Sequence, residues 1–169
     1  MHLNEKNWEQ IRKFWGGESR VTPSILPYCV FATTDKDGSP RMAPYSSLML
    51  RENRQGFYFD HFSNQLSRNL ERDQKIWVLL VKTKKWFWFK SFLLGRYDHT
   101  PAIRLVGTVG KKRDATLQEI NAFHKPLRKM RLLKGYQPFW GIYKHGRDIF
   151  FDAFETVKCG QIKSMQCDI

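Results

Sequence analysis

Between Tyr28 and Val81 the chain alternates short apolar runs with compact clusters of turn residues, a spacing that predicts strand, turn, strand, turn, strand, helix, strand. The run Tyr28-Cys-Val-Phe-Ala-Thr-Thr34 is β-branched and aromatic. Asp35-Lys-Asp-Gly38-Ser-Pro40 follows it, with Asp37-Gly38 supplying the positive φ of a tight hairpin. Residues 41–50 form the returning strand, residues 51–56 the next polar turn, and Phe57-Tyr-Phe-Asp60 opens a third strand. The period then changes. Ser63 caps a short helix over about residues 63–72, with Leu66 and Leu70 one turn apart on one face, and Ile76-Trp-Val-Leu-Leu-Val81 is again an extended apolar run.

The flanks carry helical periods. Over residues 4–15, Asn4 caps a helix in which Trp8, Ile11 and Trp15 recur at helical spacing, and Gly16-Gly17 ends it. An aromatic stripe at that spacing is read as core, and the helix is expected to close one end of the fold. Residues 22–27 are a linker. Past Val81, Lys84-Lys85 is expected to turn a hairpin into an aromatic strand over residues 86–92. Cations interleaved with aromatics suit single-stranded nucleic acid, but four consecutive aromatics project to both sides of a sheet. A strand buried on both faces, or half of a subunit interface, is therefore the preferred reading. Residues 102–109 form a strand in which Gly107 marks a bulge or a close approach. Thr116-Leu-Gln-Glu119 is a capping box opening a helix to about Lys125, and Pro126 and Gly135 bracket a second, basic helix, the pair covering about residues 116–134. Residues 139–144 and 147–154 are expected to form a last hairpin around His145-Gly146, leaving residues 156–169 as a tail over the surface or a partner subunit. Six or seven antiparallel strands are too many for one flat layer, so the fold is mainly β, a small antiparallel barrel with flanking helices in a single domain.

Composition narrows the chemistry. The chain has 169 residues, 41% hydrophobic and 15% aromatic, enough to bury a core. No apolar run approaches the ~20 residues of a membrane span, and the first residues lack the apolar core of a signal peptide, so a cytoplasmic protein without a membrane segment is expected. Cys29, Cys159 and Cys167 match no zinc spacing and are expected as free thiols, Cys29 buried in its strand. A net charge of +13 draws phosphate-bearing ligands, nucleic acid or anionic lipid without choosing among them. No hydrolase elbow, zinc motif or nucleotide-binding loop is present, and the five histidines share no ligand spacing, so redox or transfer chemistry would have to come from a cofactor.

The wording of Val30-Phe-Ala-Thr-Thr34, Asp37-Gly-Ser-Pro-Arg41, Phe57-Tyr-Phe-Asp60, Asn69-Leu-Glu-Arg-Asp-Gln-Lys-Ile76 and Arg104-Leu-Val-Gly-Thr-Val109 resembles the flavin mononucleotide (FMN)-binding split-barrel family, also called pyridoxamine 5′-phosphate oxidase-like. The resemblance spans about residues 22–155. It implies an antiparallel split β-barrel, a homodimer holding FMN in the groove between two barrels, and flavin-dependent electron or hydride transfer to a small molecule. By that resemblance Arg41 contacts the phosphate, and Met42, Ala43, Pro44 and Tyr45 bring backbone groups to the flavin ring, with Ser46 beside them. Asp60 and His61 stand at the family's Tyr-Thr pair, Ser63, Asn64 and Gln65 lie near its phosphate cluster, and Arg68 or Arg104 replaces a missing cation. Trp86, Trp88 or Trp140 is a candidate wall for the substrate. Leu66 falls where the family carries a lysine, and the chain ends Met165-Gln-Cys-Asp-Ile169 without the Arg-Leu-x-Pro of true pyridoxamine phosphate oxidases, which argues against that substrate. Some split-barrel relatives hold haem instead, for which His61 or His145 is the candidate axial ligand. A cofactor-free module reading nucleic acid or another anionic partner through residues 82–90 and 127–134 is the other alternative.

Overall fold

The computed structural model describes residues 1–16, 28–60, 64–82, 85–97, 100–125 and 143–157, with 127, 128, 132, 134 and 136. Helix α1 (Glu5–Trp15) is followed by strands β1 (Cys29–Thr34), β2 (Pro40–Tyr45), β3 (Met49–Leu50) and β4 (Gln55–Phe59), then helix α2 (Asn64–Arg72). Strand β5 (Lys75–Val81), helix α3 (Lys85–Leu94), strands β6 (Ala102–Val109) and β7 (Arg113–Asp114), helix α4 (Leu117–His124) and strand β8 (His145–Val157) complete the order.

The sheet runs β2-β1-β5-β6-β8-β4-β3, with β7 also on β8 and every pairing antiparallel. The two end strands, β2 and β3, are separated in sequence by residues 46–48 alone. Such a short connection joins opposite edges only because the sheet curls, and the result is a half-barrel with flanking helices. The returning strand expected over residues 41–50 is therefore two strands, broken where the chain crosses between edges and the Ser47 hydroxyl accepts from the Phe59 amide.

Strand β1 alternates as expected of one inward face: Cys29, Phe31 and Thr33 are buried, while Val30, Ala32 and Thr34 are half-buried. The Cys29 thiol is free, and burial pushes its pKa up, so it is an inert core group. Strand β4 buries both faces. Tyr58 joins Phe31, Tyr45 and Leu80 inside the barrel, whereas Phe57 and Phe59 meet Phe123 of α4 and Tyr143 in a second cluster. Helix α1 closes the barrel as the tryptophan spacing predicts, with Asn4 making a reciprocal capping box and Gly16 left-handed at the end. Trp8 and Trp15 are buried and donate their indole N–H groups to the carbonyls of Arg51 and Leu48. The Thr116–Glu119 capping box forms as read. So does the bulge at Gly107, where a side-chain methyl would overlap the Phe150 carbonyl.

Further expectations are overturned. Residues 86–92 are helical, within α3, and Lys85 belongs to that helix rather than to a turn. The reason is topological: β5 already pairs with β1 on one edge and β6 on the other, which leaves no edge for a hairpin partner. His145 and Gly146 start β8 instead of turning a hairpin; Gly146 opposes Phe59, and a methyl there would strike the Phe57 ring, so glycine serves close strand approach. Glu155–Val157 also extend β8, shortening the tail. The linker at 22–27, the partner strand over 139–142, Trp140, most of the basic helix over 127–134, and Cys159 and Cys167 lie outside the described residues.

Candidate functional site

Helix α2 divides its nine residues among three neighbours by helical spacing alone. Leu66 and Leu70 face the barrel core and are buried. Ser67 and Glu71 face Arg147 of β8, whose guanidinium donates to Ser67 Oγ at 3.0 Å and Glu71 Oε1 at 3.2 Å. The third face, Gln65, Arg68, Asn69 and Arg72, lines a cavity of about 440 Å³ with Asp35 and Lys36 from the β1–β2 turn. Residues i, i+3, i+4 and i+7 share one helix face, so this set is a single stripe.

The polar groups of the cavity are tied to the sheet. The Asn69 amide, buried, donates to Thr33 Oγ1 at 3.1 Å, and Gln65 Nε2 donates to Asp35 Oδ1 at 3.1 Å and Asn69 Oδ1 at 3.2 Å. Arg41 Nε donates to Asp35 Oδ2 at 2.8 Å, and the Lys36 amide donates to the other oxygen at 2.7 Å. The hydrogen bond from Arg41 is the largest influence holding the Asp35 carboxyl below its usual range, with the Lys36 amide next. Asp35 is therefore an anion that orients Arg41 through Nε and leaves its two terminal amino groups for another acceptor. Arg72 donates to the Thr34 carbonyl at 2.5 Å and Arg68 to Gln65 Oε1 at 2.9 Å. Three cations, Lys36, Arg68 and Arg72, face one carboxylate around the cavity, with Arg41 beside it, and this excess of positive charge suits a small anion such as a phosphate.

The residues expected at the site separate. Arg41, Gln65 and Arg68 come together at the cavity or its rim. Met42, Ala43, Pro44 and Tyr45 lie on β2, which among the described residues has only β1 as a strand neighbour, and Ser46 follows it. Tyr45 itself points inward, stacked on Phe31 at 4.5 Å. Asp60 is 3% exposed and accepts from Arg147 Nε at 2.8 Å and Ser67 Oγ at 2.8 Å, placing it on the Arg147 face of α2. Arg104 sits on β6 and pairs with Glu155 at 2.6 Å, roughly 15 Å from the Thr34 end of β1 at ordinary strand spacing. His61 and Ser63 lie outside the described residues, as does the side chain of Asn64. His145 pairs through Nδ1 with Asp114 at 2.8 Å on the β7–β8 flank. Sequence reading missed Asp35, Lys36, Asn69 and Arg72; the i, i+3, i+4, i+7 spacing from Gln65 is the signal that finds the last two.

Beside the site the outward face of the sheet carries an apolar patch, bordered by Arg104 opposite Leu79. Ala32 lies between Met42 and Trp77, Trp77 opposite Val106, and Val30 between Pro44 and Leu79. Met42 is 72% exposed, and the others are exposed or half-buried.

No family model matches the chain, and no curated protein matches it in sequence. Solved structures do resemble it. An FMN-binding protein from Syntrophomonas wolfei shares 14% identity over 91% of this chain and 94% of its own, with a TM-score of 0.55. A pyridoxamine 5′-phosphate oxidase candidate from Lactobacillus delbrueckii shares 14% over 92% and 94%, at 0.51. HutZ, the haem storage protein from Vibrio cholerae, shares 12% over 88% and 92%, at 0.50. At these identities the likeness is one of architecture, and it agrees with the strand order and helix placement above. The chain therefore has the split-barrel fold of the FMN-binding and pyridoxamine 5′-phosphate oxidase-like structures it resembles.

Proposed function

We propose that the protein is an FMN-binding flavoprotein that passes electrons or hydride to a small molecule, with the flavin phosphate held at the cavity between the β1–β2 turn and α2. The observation that carries this reading is the cavity where Arg68 and Arg72 of the α2 stripe and Lys36 of the β1–β2 turn meet a single carboxylate, with Arg41 aimed by Asp35. A phosphate monoester near its full charge of −2 is balanced there, and arginine binds it bidentately. Arg68 and Arg72 replace the cation lost at Leu66, and the edge of β2, unpaired among the described residues, offers backbone groups of Met42–Ser46 to the polar rim of the ring. When bound, FMN supplies the redox chemistry, and the protein's own contribution is to hold the phosphate and exclude water from the apolar ring. Arg104, Asp60, His61, Ser63 and Asn64 are not needed for the phosphate in this reading.

A second copy of the chain completes the groove. The outward face built from Met42, Pro44, Val30, Ala32, Trp77, Leu79 and Val106 is apolar where a solvated sheet face is normally polar, and self-association covers it. The decisive experiment is a titration of the purified protein with FMN, read by flavin fluorescence, beside Arg68→Ala, Arg72→Ala and Arg41→Ala. Each lost charge-assisted phosphate contact should weaken binding about tenfold or more. A protein that leaves added FMN fluorescence untouched refutes the reading. The fold likeness to HutZ supports one alternative, haem in place of flavin, and a Soret band on reconstitution would decide for it.

A further inference from the structure

Half of the exposed large apolar side chains among the described residues, six of twelve, lie on α3. Helical spacing sorts them. Phe87 and Ser91 point inward, Phe87 stacking on Tyr97 at 6.1 Å, and the helix is pinned by the Trp88 indole N–H donating to the Lys82 carbonyl at 2.8 Å. Directly opposite stands Phe89, flanked by Trp86, Phe92 and Leu93, with Phe92 94% and Leu93 74% exposed. Lys90 borders this arc, and Lys82 and Arg96 stand at the two ends of the segment. From Lys82 through Tyr97 the sequence holds five cations and no acidic residue, four of the five being lysine.

Exposed phenylalanine and leucine demand a cover, and the charges around them choose it. Lysine is depleted from protein–protein interface cores, whereas at a lipid surface its stem lies along the apolar region and its ammonium reaches the headgroups. Tryptophan beside lysine is the composition of the membrane–water boundary. A ten-residue helix is about 15 Å long, half of a bilayer core, and no described helix is long and apolar enough to cross a membrane. We propose that α3 docks the protein on an anionic lipid surface, lying in the headgroup plane with Trp86, Phe89, Phe92 and Leu93 inserted. The helix leaves β5 at Val81 and rejoins the sheet at Ala102, the end away from the Thr34–Pro40 turn, so the candidate phosphate cavity stays open to solution. The inference does not rest on the identity of the cofactor.

The test uses the full chain with two vesicle populations, phosphatidylcholine alone and phosphatidylcholine carrying about a third phosphatidylglycerol, in a flotation assay. Binding to the anionic vesicles is expected, with loss at about 0.5 M salt, where the Debye length falls to a few ångström. Phe92→Glu and Leu93→Glu should each lower the partition coefficient about tenfold or more while leaving the thermal midpoint in place, because both side chains are already in water. Brominated lipid should quench the wild type's tryptophan fluorescence more than that of Trp86→Phe. Absence of flotation overturns the proposal. So does flotation unchanged in the glutamate variants, which would make the attraction purely one of net charge. A variant that shifts the oligomeric state by light scattering without any lipid binding would assign α3 to a second copy of the chain.

Discussion

Replacing Asp60 with alanine isolates a buried charge and tests whether this carboxylate braces the fold. Arg147 is 2% exposed and Asp60 3%, and their side chains meet at 2.8 Å through Nε. The rest of the guanidinium donates to Ser67 Oγ at 3.0 Å, Glu71 Oε1 at 3.2 Å and the Gly110 carbonyl at 3.4 Å. Only Glu71 is charged among these, and its side chain is 62% exposed, so it compensates weakly for a lost Asp60. Breaking a buried pair by removing one partner typically costs about 3–5 kcal/mol, and the present burial places Asp60→Ala in that range. Asp60→Asn keeps an acceptor and the volume, and should cost about half as much. With a urea slope of about 2 kcal/mol/M, the alanine variant's midpoint should fall by roughly 1.5–2.5 M. The assay is urea unfolding followed by tryptophan fluorescence, with the double variant Asp60→Ala/Arg147→Met as the second arm. Removing both charges should recover part of the loss, since an apolar pair leaves no orphaned ion. A loss below about 1 kcal/mol for Asp60→Ala, or no recovery in the double variant, would refute the reasoning.

Two further outcomes are expected. Leu66→Lys places a cation where the resemblance sets the family's lysine, but here Leu66 is 2% exposed on the core face of α2. The variant should lose stability by at least the ~1.5–3 kcal/mol of buried leucine, and FMN titration should show no gain in affinity. Glu119 lies in a network with Arg51, Arg113 and Asp148. Burial pushes its carboxyl up, but the hydrogen bonds from Arg113, the Thr116 amide and Arg51 outweigh that and hold it at about 2 against an ordinary 4.5. Its folded pKa is depressed, so the stabilisation is complete above about pH 4.5 and disappears as pH falls toward about 2. Urea midpoints measured across that window should decline less steeply in Glu119→Gln; an unchanged slope would show that the carboxylate is not the titrating brace.

The readable parts of this chain are those decided by local physics. Asn4 and Thr116 cap their helices because a side-chain oxygen next to an unsatisfied helix N-terminus has that partner and few others. Asp37-Gly38 turns the first hairpin, Gly38 taking a φ of 81°, and the alternation through Cys29–Thr34 sets one face inward. Strand existence around the Tyr28–Val81 stretch follows from the same rules, and so does the prediction of closure, since so many antiparallel strands cannot remain flat. Arg41, Gln65 and Arg68, singled out by the family resemblance, lie together at the cavity or its rim.

Tertiary structure decided the rest wherever two local readings had similar energy. Trp86-Phe-Trp-Phe89 is compatible with a buried strand or a helix by pattern, and only the occupancy of both edges of β5 excludes the strand. His145-Gly146 reads as a turn by residue type, yet the glycine is there for the Phe57 ring on a neighbouring strand, a contact between residues 89 positions apart in sequence. Asp60 and Asp35 look alike along the chain. One is drawn onto Arg147 of β8 and the other onto Arg41 of β2, because α2 presents different faces to the two strands. Which carboxylate braces the barrel and which aims a cation at the candidate phosphate site depends on strand order, and strand order is a property of long-range pairing that no local pattern encodes.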